Sequence, residues 1–99
     1  MKKIIFAAIF LLFISSAFAD NFRLLYQEGN NRYSVAYSLF TIFDGSGKQV
    51  AQGYSDKYGR IMVNLGRGNY TCEVVYRNTT YRKTITIDGS TDIREVQLQ

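Results

Sequence analysis

The feature that most limits how this chain can fold is a series of short segments with alternating polarity, separated by turns rich in glycine, asparagine and aspartate. The segments follow one another from residue 22 to residue 98, and no stretch among them has helical periodicity. Strands at spacings of roughly 8–12 residues with such turns between them predict a β-sandwich or barrel. The predicted strands are residues 22–27, 33–43, 48–54, 60–65, 69–77, 80–88 and 91–98.

The alternation also assigns faces to the last four of these strands. Their apolar residues recur at every second position, with polar residues between them, as in a sheet with one buried and one solvated face. The sequence around Asp88, Gly89 and Ser90 predicts a turn, so the last two strands are expected to pair as a hairpin. The residues predicted to face the core are Ile61, Val63, Leu65, Tyr70, Cys72, Val74, Tyr76, Ile85, Ile87, Val96 and Leu98.

The predicted second strand, residues 33–43, departs from this pattern because both of its faces are apolar. Phe40 and Ile42 share one face, and the other carries Tyr33, Val35, Tyr37, Leu39 and Phe43. One interpretation is that the first strand and its turn cover the second face. The other is an exposed patch, which on a small soluble domain marks a contact site. We favour coverage, but a partner surface, if the strand has one, is expected here.

The first 19 residues have the three parts of a secretory signal peptide. Lys2 and Lys3 give a positive start, an uncharged apolar run follows over residues 4–14, and Ala17-Phe18-Ala19 supplies the small-x-small cleavage pattern. The apolar run is shorter than the roughly 20 residues that a membrane span needs. We therefore expect cleavage after Ala19, no transmembrane span in the mature protein, and a periplasmic or secreted location. A short signal that begins with two lysines is bacterial in character.

Cleavage of 19 of the 99 residues leaves 80, residues 20–99, a length that suits a single domain. The net charge of +4 then falls to +2, because Lys2 and Lys3 leave with the signal. The remaining basic residues form no stripe, which argues against a nucleic-acid partner. Cys72 is the only cysteine, so no internal disulfide can form. Its place in an alternating strand predicts a buried thiol, and an intermolecular disulfide is the alternative.

The sequence contains no histidine. This removes Ser-His-Asp and Cys-His nucleophilic sites, imidazole metal sites and the commonest general base. The remaining acidic candidates, Asp44, Asp56, Asp88 and Asp92, lie in predicted turns. Aspartate is expected in turns because its side chain hydrogen-bonds the following backbone. We therefore expect a protein that is not an enzyme and has no catalytic residues, cofactor or metal site.

Three stretches of the sequence carry a family resemblance. Residues 38–50 contain an Asp-Gly turn between two strands, residues 55–61 read Ser-Asp-Lys-Tyr-Gly-Arg-Ile, and residues 68–70 read Gly-Asn-Tyr. On these stretches the chain from Leu39 onward resembles the carboxypeptidase regulatory-like domains. It lacks the proline common in that family, and Ser55 stands where threonine is usual. The resemblance implies an all-β, seven-stranded antiparallel Greek-key sandwich of the transthyretin (prealbumin) type, with a non-catalytic accessory or binding role.

Tyrosine is the most unusual part of the composition, with eight residues that all follow the signal. Exposed tyrosines give a large contact area at low entropic cost, which suits the recognition of protein or sugar. For any single ring, filling of the core is the alternative. The candidate partner surface consists of Tyr33, Tyr37, Leu39, Phe43, Tyr54, Tyr58 and Tyr81. The sequence thus predicts an exported binding module for an envelope protein or polysaccharide; the alternative is a structural subunit that self-assembles through sheet edges into a fibre or surface layer.

Overall fold

The computed structural model describes residues 17–99, and side chains from residue 19 onward. Most of the predicted signal peptide, residues 1–16, therefore lies outside the described residues. The described chain is all-β, with eight strands in two sheets. The strands are β1 (Ala17–Glu28), β2 (Asn31–Ser34), β3 (Leu39–Phe43), β4 (Gln49–Tyr54), β5 (Arg60–Gly66), β6 (Gly68–Tyr76), β7 (Thr79–Ile87) and β8 (Arg94–Gln97).

The first sheet is built around the long strand β1. The first part of β1 pairs antiparallel with β5, and its last part pairs antiparallel with β2. Strand β8 runs parallel to β1 along the opposite edge, so Phe22 has Ile61 on one side and Arg94 on the other. The second sheet is antiparallel, in the order β4-β3-β6-β7. The chain therefore passes between the sheets at residues 35–38, 55–59, 67 and 88–93.

The inner faces of the two sheets pack into one apolar core, which confirms the predicted sandwich. Leu24 and Val35 are fully buried, as are Ile42, Val74 and Ile87. Taking one such side chain out of water stabilises the fold by about 1.5–3 kcal/mol. Of the residues that the alternation assigns to the core, most are buried, and the others pack against the core while partly exposed, namely Leu65, Tyr70, Tyr76 and Val96.

The predicted second strand, residues 33–43, is wrong as a single strand. It is divided between β2, which ends at Ser34 in the first sheet, and β3, which begins at Leu39 in the second. Between them, Val35 is buried and Tyr37 has a φ of 51°. A positive φ takes the backbone out of the extended region, so the chain turns from one sheet to the other. The two apolar faces of the sequence therefore belong to two strands, and the described part has eight strands where seven were predicted. The prediction of purely antiparallel sheets is also wrong, because β8 pairs parallel with β1.

The predicted hairpin between the last two strands is also wrong. Strand β7 lies at the edge of the second sheet, whereas β8 pairs with β1 of the first. The segment between them turns towards the carboxylate of Asp20, which accepts the backbone N–H groups of Asp88 at 3.2 Å and Gly89 at 3.3 Å. The same carboxylate pairs with Arg94 at the start of β8. Because a buried carboxylate needs these donors, the chain crosses to β1 and does not fold back on β7.

Candidate partner-binding surface

Two of the crossings between the sheets lie side by side and are joined by hydrogen bonds. The backbone N–H of Ser38 donates to Ser55 Oγ at 3.0 Å, and the backbone N–H of Ser55 donates to the Ser38 carbonyl at 3.0 Å. The Ser55 hydroxyl in turn donates to the Val35 carbonyl at 2.5 Å. Ser55 is only 2% exposed. These bonds hold residues 35–38 and 55–59 in a fixed relation.

The two joined segments display strongly exposed aromatic rings. Tyr37 precedes Ser38, Tyr54 precedes Ser55, and each of these tyrosines is 72% exposed. The left-handed backbone of Tyr37 costs of order 1–2 kcal/mol for a residue other than glycine. It is supported by the Tyr37 N–H, which donates to the Asp56 carbonyl at 3.4 Å. A strained residue of this kind, held with its ring in solvent, points to a functional role.

The apolar surface continues from Tyr54 across the outer face of the second sheet. Leu39 on β3 lies opposite Tyr54 on β4. On the other side of β3, Phe40 lies opposite Val74 on β6, so the next residue, Val75, comes opposite Leu39. Directly opposite residues share a face, so the three side chains form a row. Val75 is 43% exposed and Leu39 is half-buried. We define Tyr37, Leu39, Tyr54 and Val75 as the docking surface.

Val75 is the one member of the docking surface that the sequence analysis does not identify. The sequence feature that could have identified Val75 is the unbroken apolar run Val74-Val75-Tyr76 in a strand that otherwise alternates. Position 75 falls on the solvated face of β6, where the alternation predicts a polar residue. An apolar residue on a solvated face becomes informative once its neighbours across the sheet are also apolar.

Tyr58 lies past the docking surface, on the turn that leads into the first sheet. Its ring is 48% exposed and is close to two cations, with Lys57 Nζ 5.0 Å and the Arg60 guanidinium 4.8 Å from the ring centroid. Asp56 orders this turn by accepting the N–H groups of Tyr58 at 2.8 Å and Arg60 at 2.9 Å. The pKa of Asp56 is lowered, first of all by the hydrogen bond from the Arg60 backbone. The aspartate thus has the turn-forming role that the sequence predicts.

Tyr33 and Tyr81 belong to a separate aromatic cluster around Arg77. Arg77 pairs with Glu28 at 2.9 Å, which ties the β6–β7 turn to the β1–β2 turn. Its guanidinium lies 4.8–5.3 Å from three ring centroids, those of Tyr26, Tyr33 and Tyr76. Tyr81 packs edge-on against Tyr26 with the centroids 6.1 Å apart. The structure therefore gives Tyr81 a packing role, and Tyr33, 38% exposed, lies at the margin of this cluster.

Phe43, the remaining predicted residue, lies at the opposite end of β3 from Leu39. It is half-buried, with Gln49 and Thr71 as its register partners, and the β3–β4 register shifts between Ile42 and Phe43. The docking surface and Phe43 are thus separated by the length of the strand.

Two further side chains with chemical reactivity, the Asp44 carboxylate and the Cys72 thiol, are hydrogen-bonded or buried. The Asp44 carboxylate accepts the hydroxyl of Ser46 at 2.6 Å and the backbone N–H of Lys48 at 3.0 Å. These hydrogen bonds lower the pKa of Asp44, with the Ser46 hydroxyl the largest cause. Cys72 is a free, buried thiol, as predicted, and burial raises its pKa to about 12.

Within residues 17–99, no three histidine, cysteine or acidic side chains are grouped as metal ligands. The same residues include no helix long and apolar enough to cross a bilayer.

Comparison with known proteins supports the fold and leaves the family open. No protein-family model matches the chain, and no curated protein matches it. A solved structure of the Bacillus anthracis TIE protein is similar, with a TM-score of 0.60 and 21% sequence identity over 83% of this chain. The match covers 17% of the TIE chain, so this protein corresponds to a small part of it. At this identity the likeness concerns the fold alone.

Proposed function

We propose that this chain is an exported, non-catalytic binding module whose docking surface contacts another protein of the cell envelope. The observation that carries the proposal is the pair of 72% exposed tyrosines, Tyr37 and Tyr54, on two hydrogen-bonded crossings. Tyrosine is enriched at the energetically dominant positions of interfaces. Because the Ser38–Ser55 hydrogen bonds already hold the backbone that carries these rings, less backbone entropy is lost when a partner binds.

A protein is favoured over a polysaccharide as the partner because the rings are continuous with aliphatic side chains. Leu39 and Val75 extend the tyrosines into an apolar strip across the sheet. The core of a protein interface combines aromatic and aliphatic groups and is depleted in charge. No charged residue is among the four members of the docking surface.

Export and family membership are parts of the same proposal. The signal pattern at residues 1–19 supports cleavage before Asp20 and a periplasmic or secreted location in a bacterium. Cleavage there removes the first three residues of β1, which pair with β5, and the mature strand begins at Asp20. The all-β sandwich is the architecture expected of a carboxypeptidase regulatory-like domain, and the Greek-key, transthyretin-like arrangement is proposed with it. Such domains act beside other proteins, in agreement with a docking role.

The docking surface is tested by affinity capture from an envelope fraction with the purified protein. Loss of a dominant interface tyrosine costs about 2 kcal/mol, roughly thirtyfold in affinity. The double variant Tyr37→Ala/Tyr54→Ala is therefore expected to lose the captured protein while its thermal unfolding stays close to that of the wild type. Asn64→Ala is the control, because it removes an exposed side chain from β5 of the opposite sheet.

Three outcomes of this capture experiment count against the proposal. If the double variant retains the partner as well as the wild type does, the docking surface is not the binding site. Loss of the partner in Asn64→Ala alone would place the interface on the first sheet. If a glycan is retained without any protein, the partner is a polysaccharide and not a protein.

The second candidate function, a self-assembling structural subunit, is favoured by one edge strand. Among the edge strands of the described chain, β2, β5, β7 and β8 each contain a charged residue, whereas β4, with the sequence Gln-Val-Ala-Gln-Gly-Tyr, has none. Charged residues on an edge strand oppose pairing with another chain. Strand β4 is therefore the edge through which two copies would pair.

A lysine on β4 tests this second candidate. Gln52→Lys is expected to abolish any concentration-dependent association that sedimentation detects in the wild type. Thr84→Lys on β7, a strand that already contains Arg82 and Lys83, is expected to leave the association unchanged. A wild type that stays monomeric at the highest soluble concentration, or an equal effect of both lysines, contradicts assembly through β4.

A further inference from the structure

The outer face of the first sheet carries a trough that lies on the other side of the sandwich from the docking surface. It crosses β1 between β5 and the segment that leads into β8. One part has a volume of about 420 Å³ and is lined by Arg23, Tyr58, Arg60, Ile93 and Glu95. An adjoining part of about 540 Å³ shares Arg60 and Ile93 and extends to Asn21, Asp56, Met62 and Thr91. Together they form an open channel across the sheet.

Arg23 lies in this trough as a half-buried cation that forms no ion pair with the described residues. Its Nε donates to the Tyr58 carbonyl at 3.2 Å and its Nη2 to Ser34 Oγ at 3.0 Å. It forms no ion pair with any carboxylate of residues 17–99, whereas five other arginines do: Arg32, Arg60, Arg77, Arg82 and Arg94. A partly desolvated charge without a partner is costly, and an anion that binds it recovers that cost.

The other charges of the trough are already matched. Arg60 pairs with Asp56 at 3.0 Å, and Glu95 pairs with Arg32 at 2.9 Å. Glu95 is the register neighbour of Arg23 on β8, but its carboxylate pairs with Arg32, so Arg23, Arg32 and Arg60 together exceed Asp56 and Glu95 by one positive charge. The hydrogen bonds to Tyr58 and Ser34 fix the plane of its guanidinium, and the remaining N–H groups can form the paired hydrogen bonds that a carboxylate accepts.

The walls of the trough are aliphatic. Met62 on β5 is 63% exposed and Ile93, just before β8, is 52% exposed. The one aromatic ring that lines it, that of Tyr58, has Lys57 Nζ 5.0 Å and the Arg60 guanidinium 4.8 Å from its centroid. These cations compete with a sugar for the ring, whereas an extended peptide places alternate side chains against aliphatic walls and charged groups.

We propose that this trough binds an extended acidic peptide segment of a partner protein. One carboxylate of the segment pairs with Arg23, and an apolar side chain two residues away lies between Met62 and Ile93. The site uses residues of the first sheet and does not depend on the docking surface. The protein would then have two separate contact sites, on opposite sheets.

The test uses defined peptides and the purified protein. The probe is an acetylated seven-residue peptide of alternating valine and aspartate, and its matched control has asparagine in place of aspartate. In two-dimensional NMR the acidic peptide is expected to shift the Arg23 Nε–H and Ile93 methyl signals, and the neutral peptide to bind at least tenfold more weakly. Added salt is expected to weaken the binding of the acidic peptide, because salt screens a charge pair near the surface.

Variants separate the trough from general electrostatic attraction. Arg23→Gln is expected to lower the affinity for the acidic peptide at least tenfold. Arg82→Gln, which removes an equal charge from the second sheet, is expected to leave that affinity unchanged. Ile93→Ser removes a wall without affecting the hydrogen bonds of Arg23 and is expected to weaken binding as well. The Tyr37→Ala/Tyr54→Ala double variant is expected to bind the peptide like the wild type, so failure of the docking surface and failure of the trough are distinguishable.

Several results would overturn the trough as a peptide site. These are an acidic peptide that causes no shifts at millimolar concentration, equal binding of the neutral peptide, or equal losses in Arg23→Gln and Arg82→Gln. Binding of an oligogalacturonate with the same dependence on Arg23, without binding of the peptide, would assign the trough to an acidic polysaccharide.

Discussion

Replacement of Asp20 by alanine is expected to lower the free energy of unfolding by about 3–5 kcal/mol. Asp20 is completely buried, and its carboxylate holds Asp88, Gly89 and Arg94 in place. The substitution leaves Arg94 with only the exposed Asp88, at 3.3 Å, as an ion-pair partner, and it leaves two backbone N–H groups without their acceptor. A domain of this size has a total stability on the order of 5 kcal/mol. A large unfolded fraction at room temperature is therefore expected.

Urea denaturation of the purified protein, followed by circular dichroism, measures this effect. Asp92→Ala is the control, because Asp92 is an exposed aspartate of the same crossing, and it is expected to change stability by less than about 0.5 kcal/mol. Asp20→Asn keeps an acceptor but loses the charge, and should fall between the two. A loss below about 1 kcal/mol for Asp20→Ala would contradict the view that this carboxylate determines the crossing to β8.

Replacement of Gly59 by alanine is expected to cost about 3 kcal/mol or more, from two causes that add. Gly59 has a φ of +78°, where an L-residue is strained. A Cβ at this position would also lie 2.7 Å from the Leu24 carbonyl oxygen and 3.0 Å from the Val35 nitrogen. Both are backbone atoms, and the Val35 N–H donates to the Leu24 carbonyl at 2.9 Å. Relief of the contact would disrupt that bond where β1 changes partner from β5 to β2.

Gly47→Ala provides the matched control for the steric part of this cost. Gly47 has a φ of +85°, but nothing lies within 4 Å of the added Cβ. It should therefore show the backbone strain alone, about 1 kcal/mol. The same denaturation experiment compares the two variants. Equal losses would show that close packing at Gly59 contributes nothing.

The core and the turns could be predicted from the sequence, because local chemistry determines them. Alternation placed Ile61, Val63 and Val74 in the core, and the positive φ of Gly59 and the hydrogen bonds of Asp56 agree with the predicted turn. Each of these features depends on residues close together in the chain. The hydrophobic pattern of a strand and the composition of a turn carry that information directly.

The crossings could not be predicted, because they depend on contacts between distant residues. Asp20 reads in the sequence as a polar residue beside a cleavage site, and only its burial with Arg94 explains why β8 joins β1. Tyr37 reads as one position in a long strand, and its left-handed backbone, which separates β2 from β3, has no marker such as glycine. Alternation defines the face of a residue but not the sheet to which a strand belongs.

The candidate sites divide in the same way. Tyr37, Tyr54 and Leu39 were predicted from residue type, and the structure brings them together through the Ser38–Ser55 bonds. The trough was not predicted, because Arg23 and Ile93 come from opposite ends of the domain and meet only when β8 pairs with β1. A half-buried arginine without a counter-ion has no sequence signature.

Site-specific photocrosslinking in the producing cells tests the central claim most directly. A photoreactive phenylalanine analogue is placed at position 37 or 54 of the docking surface, and at exposed positions 64 and 84 as controls on the first sheet and on β7. We expect one and the same envelope protein to be crosslinked from positions 37 and 54 and not from 64 or 84. No protein adduct at 37 and 54, or the same adducts from all four positions, would contradict a binding module that docks through this surface.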